Sequence, residues 1–122
     1  MKFHHLGIAT SNIQKSFNFL KDSFGVEFAS EIIHDKRQDA YLQLVQTKDI
    51  TFELITGKRV ENLISKNITY YHVCYEVNDI DSSLAALTCL QVSPPTEAIL
   101  FDKRKVAFAL TPLGLIELLE AE

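Results

Sequence analysis

The sequence predicts an α+β fold built from two tandem βαβββ modules, whose curved mixed sheets enclose a common cavity. Three observations lead there. Residues 69–77, Thr-Tyr-Tyr-His-Val-Cys-Tyr-Glu-Val, alternate and are rich in aromatic and β-branched side chains, the pattern of a half-buried strand. They run directly into a helix-start signal at Asn78-Asp79-Ile80. The same strand-to-cap arrangement stands 67 positions earlier, where His5 corresponds to His72, Asn12 to Asp79, Ile13 to Ile80, Ser16 to Ser83 and Leu20 to Leu87. With the offset shortened to 64, residues 52–55 correspond to residues 116–119, and Leu42 and Leu44 to Val106 and Phe108. An internal repeat of this kind makes each copy one supersecondary unit and sets the architecture.

The elements follow in order. Residues 2–9 are the first strand. Ser11 or Asn12 can cap the first helix through a side-chain oxygen. Ile13, Phe17, Leu20 and Phe24 then recur at helical spacing and form one apolar stripe, expected to pack on a sheet. Gly25 stands where a left-handed residue ends a helix. Residues 26–33 read as a strand, broken by the polar loop at 34–39. Strands are expected at 40–45 and 50–56, joined by a turn at Gln46-Thr47-Lys48-Asp49. In residues 57–67, Val60, Leu63 and Ile64 suggest a short amphipathic turn of helix. The second copy repeats the order: the strand around His72, then a helix from Asp79 or Ile80 to about Leu90 that buries Ile80, Leu84 and Leu87. Pro94-Pro95 breaks the chain. A strand at 97–101, the charged turn Asp102-Lys103-Arg104-Lys105 and strands at 106–110 and 115–119 complete it. The expected organisation is a single domain over 1–122, with module one at 1–57, a linker at 58–67 and module two at 68–122.

Composition narrows the function. With 12 basic and 16 acidic residues the net charge is −4, and no basic block offers a nucleic-acid surface. No apolar run is long enough to span a bilayer and no signal-peptide pattern opens the chain. Cys74 and Cys89 fit neither a disulfide framework nor a paired metal motif, so a reducing cytoplasm is expected. Cys74 is expected to be a small buried hydrophobe.

The candidate chemistry lies in two histidines and two glutamates. A lone histidine on a half-buried strand is more often a hydrogen-bonded core residue than a ligand. Its repetition at His5 and His72, with Glu53 and Glu117 at the matching far ends, shifts that balance. In each of the four strands the ligand-type residue has parity opposite to the most apolar side chains: Phe52 and Leu54 flank Glu53, Val73 and Tyr75 follow His72, and Ile116 and Leu118 flank Glu117. If the apolar flanks meet the helices, the four polar side chains face the cavity. Burying such groups without partners costs a few kcal/mol each, about the range expected for unsatisfied polar groups. One divalent cation would offset that cost, and imidazole nitrogen with carboxylate oxygen suits Zn, Co, Ni, Mn or Fe equally. His4 lies on the opposite face of its strand and is not expected to join them.

Four stretches carry a resemblance: His5-Leu6-Gly7-Ile8-Ala9 with Asn12-Ile13, Phe52-Glu53-Leu54, residues 72–80, and Gly114-Leu115-Ile116-Glu117-Leu118. Together they resemble the vicinal-oxygen-chelate superfamily, which includes glyoxalase I, methylmalonyl-CoA epimerase, extradiol dioxygenases and fosfomycin or bleomycin resistance proteins. The resemblance covers the whole chain. It implies the glyoxalase-like fold and a metal-binding cavity, with His5, Glu53, His72 and Glu117 as ligands of one divalent ion. Glu117 matches the metal-bound glutamate that serves as general base. A glutamate at position 53 looks like the glyoxalase I and epimerase branches, because the dioxygenase-like and fosfomycin-resistance members lack a ligand there. The linker and the strand Lys105-Val106-Ala107-Phe108 look most like the epimerase branch. The resemblance therefore implies an isomerase, epimerase or lyase that moves an α-proton through a metal-stabilised enediolate.

The sequence departs from the epimerase pattern in one place. That branch has a second base, a glutamate in the loop before its third strand, whereas this chain has His34-Asp35-Lys36-Arg37-Gln38-Asp39. Asp35 or Asp39 would have to substitute with a shorter arm. A glyoxalase I-type lactoylglutathione lyase is the alternative, and a metal-free binding or resistance protein is a further one. Arg104 and Lys105 read either as a solvated hairpin tip or as a clamp for the carboxylate or phosphate of an acyl-CoA or thiol adduct. A homodimer is expected, since open sheet edges need cover.

Overall fold

The computed structural model describes all 122 residues. In chain order its elements are β1 (Lys2–Ala9), α1 (Ile13–Ser23), β2 (Val26–Ala29), β3 (Ile33–Asp35), β4 (Ala40–Thr47), β5 (Thr51–Gly57), a 3₁₀ turn (Lys58–Val60), α2 (Glu61–Ser65), β6 (Tyr70–Val77), α3 (Ile80–Ala86), β7 (Leu90–Gln91), β8 (Thr96–Glu97), β9 (Lys105–Thr111) and β10 (Gly114–Glu120). This is the mixed α+β composition that the duplicated pattern predicts. Contacts divide the chain into two compact units. The first is His5–Tyr71, and the second is Met1–His4 together with His72–Glu122. Residues 58–67 thus pack inside the first unit, and the chain's first four residues belong with the second. Phe3 packs edge-on against Tyr75 and His4 against Phe101, with ring centroids 6.3 and 5.3 Å apart.

In the first unit the strands run in the order β2-β4-β5-β1, with β3 also paired to β4. β1 and β5 are parallel, and β4 and β5 antiparallel. Asn12 caps α1 by accepting from the Lys15 N–H at 3.0 Å, and the helix ends at Gly25, whose φ of +78° suits a residue without Cβ. Ile13 and Leu20 of α1 bury against Val45 and Leu54, with Ile8, Phe17 and Phe52 packed around them. Phe24 does not join this core; it is 59% exposed.

The second unit has the same plan, β6-β10-β9-β7 with β8 also on β9. β6 and β10 are parallel, and β9 and β10 antiparallel. Asp79 caps α3 by accepting from the Ser82 N–H at 3.0 Å, and Glu120 of β10 accepts from the Ile80 N–H at the same distance. Ile80 buries with Val77, Ala107, Ile116 and Leu118, and Leu84 and Leu87 pack against them.

Three expected elements differ. The strand expected at 26–33 is two strands, because the register on β4 slips by one residue between Ala29↔Val45 and Ile33↔Leu42. Ser30 fills the slip: its hydroxyl accepts from the Leu44 N–H and its own N–H donates to the Leu44 carbonyl. α3 ends at Ala86, about four residues early. Leu87 turns extended, and Leu90 and Gln91 pair with Leu110 and Ala109 of β9. The strand expected at 97–101 reduces to Thr96–Glu97. Residues 98–104 close a loop in which the Ala98 N–H donates to the Arg104 carbonyl, and Asp102 and Lys103 adopt positive φ.

Candidate metal centre

Strand pairing fixes where the polar side chains point. In the first unit Phe52 and Leu54 of β5 face α1. Glu53, one residue between them, therefore faces the other side of the sheet. Gly7↔Glu53 and Leu44↔Glu53 are register partners on its two neighbours, so His5, two residues before Gly7, shares Glu53's face. The two meet: His5 Nε2 lies 3.9 Å from Glu53 Oε1.

The second unit repeats this residue for residue. Ile116 and Leu118 face α3, and Glu117 faces away. Its register partners are Cys74 on β6 and Phe108 on β9. These are the repeat equivalents of Gly7 and Leu44. His72 Nε2 lies 3.3 Å from Glu117 Oε1. Each unit thus holds one imidazole–carboxylate pair. All four residues are buried, none more than 5% exposed.

These donors are the types a divalent cation takes. Two donors about 2.1 Å from one ion stand about 3.0 Å apart at a right angle, about 3.4 Å at the tetrahedral angle and about 4.2 Å on opposite sides. The His72–Glu117 separation falls inside the first range, and the His5–Glu53 separation lies between it and the limit. Both are longer than a good N–H···O hydrogen bond. The spacing of each pair therefore fits two ligands of one ion better than a direct imidazole–carboxylate bond.

Phe108 is the site neighbour that sequence reasoning used only as a repeat marker. Its ring stands edge-on to the His72 imidazole at 5.4 Å, and its backbone pairs with Glu117. It is positioned to restrict imidazole rotation. The signal for it was present in the sequence: it is the residue that the tight Pro112-Leu113-Gly114 turn folds back opposite Glu117.

The remaining expected site residues lie elsewhere. Arg104 is held structurally. Its guanidinium pairs with Glu76, its Nε donates to the Glu120 carbonyl at 2.8 Å, and it stands 3.9 Å from Glu122. Lys105 shares the parity of Ala107, which faces α3. It therefore points away from Glu117, and its charge is felt instead by Asp79. The basic turn is thus a brace at one end of the second unit rather than a free clamp. Asp35 is buried and accepts from the Arg37 N–H and Gln38 Nε2 at 3.0 and 2.8 Å, which makes it the organiser of its own turn. Asp39 is exposed and lies 3.8 Å from His34. Cys74 is fully buried, and His4 is half-buried with its ring edge-on to Phe101.

Comparison with known proteins bears on the family and the fold. The family described as the glyoxalase/bleomycin resistance protein/dioxygenase superfamily matches residues 4–108. The mitochondrial methylmalonyl-CoA epimerase of Dictyostelium discoideum is 28% identical over 115 residues, 88% of this chain and 69% of that protein. Among solved structures, a hypothetical protein from Bacillus halodurans superposes with a TM-score of 0.82 at 18% identity, covering 99% of this chain and 94% of that one. The methylmalonyl-CoA epimerase of Mycobacterium tuberculosis superposes with a TM-score of 0.81 at 16% identity, covering 99% and 88%. At these identities the structural likeness is one of fold.

Proposed function

We infer, since this chain belongs to the glyoxalase/bleomycin resistance protein/dioxygenase superfamily, that it is a metal-dependent epimerase acting at the carbon beside the thioester carbonyl of a small acyl-CoA. The observation that carries this reading is the buried His–Glu pair, repeated in the same register in both units. His5, Glu53, His72 and Glu117 would together hold one divalent cation. When bound, that cation would supply electrophilic polarisation of the substrate carbonyl. The choice of substrate rests on the 28% identical relative named methylmalonyl-CoA epimerase, 69% of which is aligned with this chain.

Glu117 is assigned as general base. Its carboxylate is nearly excluded from water and lies between Phe108 and Cys74 in register. It takes the α-proton, and the electron pair of the broken C–H bond moves into conjugation with the thioester carbonyl. A water molecule would protonate the opposite face of that carbon, and Glu117 would release its proton to solvent, which completes the epimerisation.

A second reading is a glyoxalase-type isomerisation, in which one base moves a proton between adjacent carbons. It is favoured by Asp35, whose two oxygens are already engaged in its own turn rather than offered as a second acid. Elemental analysis of the purified protein tests the common part, with one tightly held divalent ion per chain expected. Deuterium exchange at the α-carbon of methylmalonyl-CoA, set against turnover of the methylglyoxal–glutathione hemithioacetal, separates the two enzymes. Protein that holds no metal and catalyses neither reaction would leave the binding or resistance role instead.

A further inference from the structure

The first unit carries a half-open cavity of about 590 Å³ between α1 and the sheet. Its floor is formed by Ile8, Phe52 and Leu54. These belong to the α1 side of the sheet, so the cavity lies on the face opposite Glu53. Phe19 and Phe24 line it while remaining 61% and 59% exposed, their rings edge-to-face at 6.1 Å. The sequence pattern assigns Phe24 to the core stripe of α1, yet it sits at the helix end and lines this cavity. Two exposed aromatic rings beside an apolar floor are costly to leave in water. The lining changes character at its other end, where Thr10, Ser11 and Lys15 bring hydroxyls and one ammonium group. Lys15 is exposed and makes no ion pair or hydrogen bond through its ammonium.

We propose that this groove binds a single-chain amphiphilic carboxylate. The hydrocarbon lies along the sheet floor and the Phe19–Phe24 pair, and the carboxylate meets Lys15. Three features select that chemistry. The volume is that of a small-molecule site, about 300–1,000 Å³. The apolar and polar linings are segregated to opposite ends, so the ligand must be amphiphilic. The one charged group lining the groove is an unpaired cation, so the polar end must be an anion. The proposal is independent of the metal-dependent reading, because no groove residue shares the face of Glu53.

The chain has no tryptophan, so Phe24→Trp introduces a single reporter at the groove. Titrating that variant with dodecanoate below its micelle concentration is expected to give saturable, one-to-one blue-shifted emission. In wild-type protein the amide resonances of Lys15 and Ser16 are expected to shift over the same concentration range, which covers a reporter that disturbs the groove. Lys15→Glu is expected to weaken dodecanoate about tenfold or more, and dodecyl maltoside, with the same chain and no charge, to bind wild type about tenfold more weakly than dodecanoate. Circular dichroism checks that each variant is folded. Equal affinity for the charged and neutral amphiphiles, or no effect of Lys15→Glu, would overturn the proposal. So would a dimer by light scattering that Phe19→Asp dissociates, since the groove would then belong to a second copy of this chain.

Discussion

Glu117 illustrates how much one position can encode. It lies between two helix-facing apolar residues, which turns it to the opposite face, and its strand neighbours bring His72 and Phe108 beside it. Glu117→Gln keeps the shape and one oxygen donor but removes the basicity. The expected result is loss of α-proton exchange by about a hundredfold or more with bound metal largely retained, read by isotope exchange and elemental analysis on the same sample. Unchanged turnover would remove Glu117 from the role of base. Arg104 makes the opposite point. Its charge suggested a clamp, but its donors are committed to Glu76 and the Glu120 carbonyl. Arg104→Met is therefore expected to lower stability by about 1–3 kcal/mol in denaturant melts, the cost of leaving part-buried acceptors unmet, with KM little changed. A large rise in KM at unchanged stability would restore the clamp. Nothing in the local sequence distinguishes these roles, because Glu76 is 28 positions away and is brought close only by folding.

At the scale of elements, helix starts are better specified than helix ends. Asn12 and Asp79 each accept from the third residue on, a contact the sequence spacing already contains. The Ser82 N–H, and after it the Ser82 hydroxyl, hold the Asp79 carboxyl below the usual aspartate range, with Lys105 a smaller contributor. Because the folded value is the lower one, this cap stabilises α3 fully above the ordinary aspartate pKa, and the contribution is lost as pH falls through the depressed value. Protection factors for amide exchange in α3, taken relative to the intrinsic rate at each pH, are expected to fall in acid, below about pH 4, and Asp79→Asn to flatten that dependence. The end of α3 has no such local stop: Leu87 leaves the helix because Leu90 and Gln91 are claimed by β9. Gly57 marks a third kind of control. Its φ is +117°, and a Cβ there would stand 2.8 Å from the Asp39 carbonyl oxygen. Gly57→Ala is expected to destabilise by about 1–3 kcal/mol in the same melts, since backbone rather than a flexible side chain must yield.

For the whole molecule, the duplicated plan and the family agree. Each unit supplies one buried imidazole and one buried carboxylate. If one ion bridges the two pairs, its removal loosens both units together. Exhaustive chelation is expected to lower the melting temperature, with restoration by added divalent metal. A free metal concentration about a thousand times Kd corresponds to about 4 kcal/mol of stabilisation. A melting temperature indifferent to chelator and metal would contradict a shared ion. No helix of the structure is long and apolar enough to cross a membrane, which matches the absence of a long apolar run.

The sequence alone determined the repeated strand-to-cap module, the start of each main helix, and the sheet face on which His5, Glu53, His72 and Glu117 lie. These are short-range properties: side-chain parity has period two, and a cap bonds three residues ahead. The tertiary structure alone decided the register slip after Ala29, the early end of α3, the Arg104–Glu76 brace, the turn of Lys105 toward α3 and the groove beside Phe24. Each depends on a hydrogen bond, ion pair or packing partner far away in the chain, so neighbouring residues carry no signal for it.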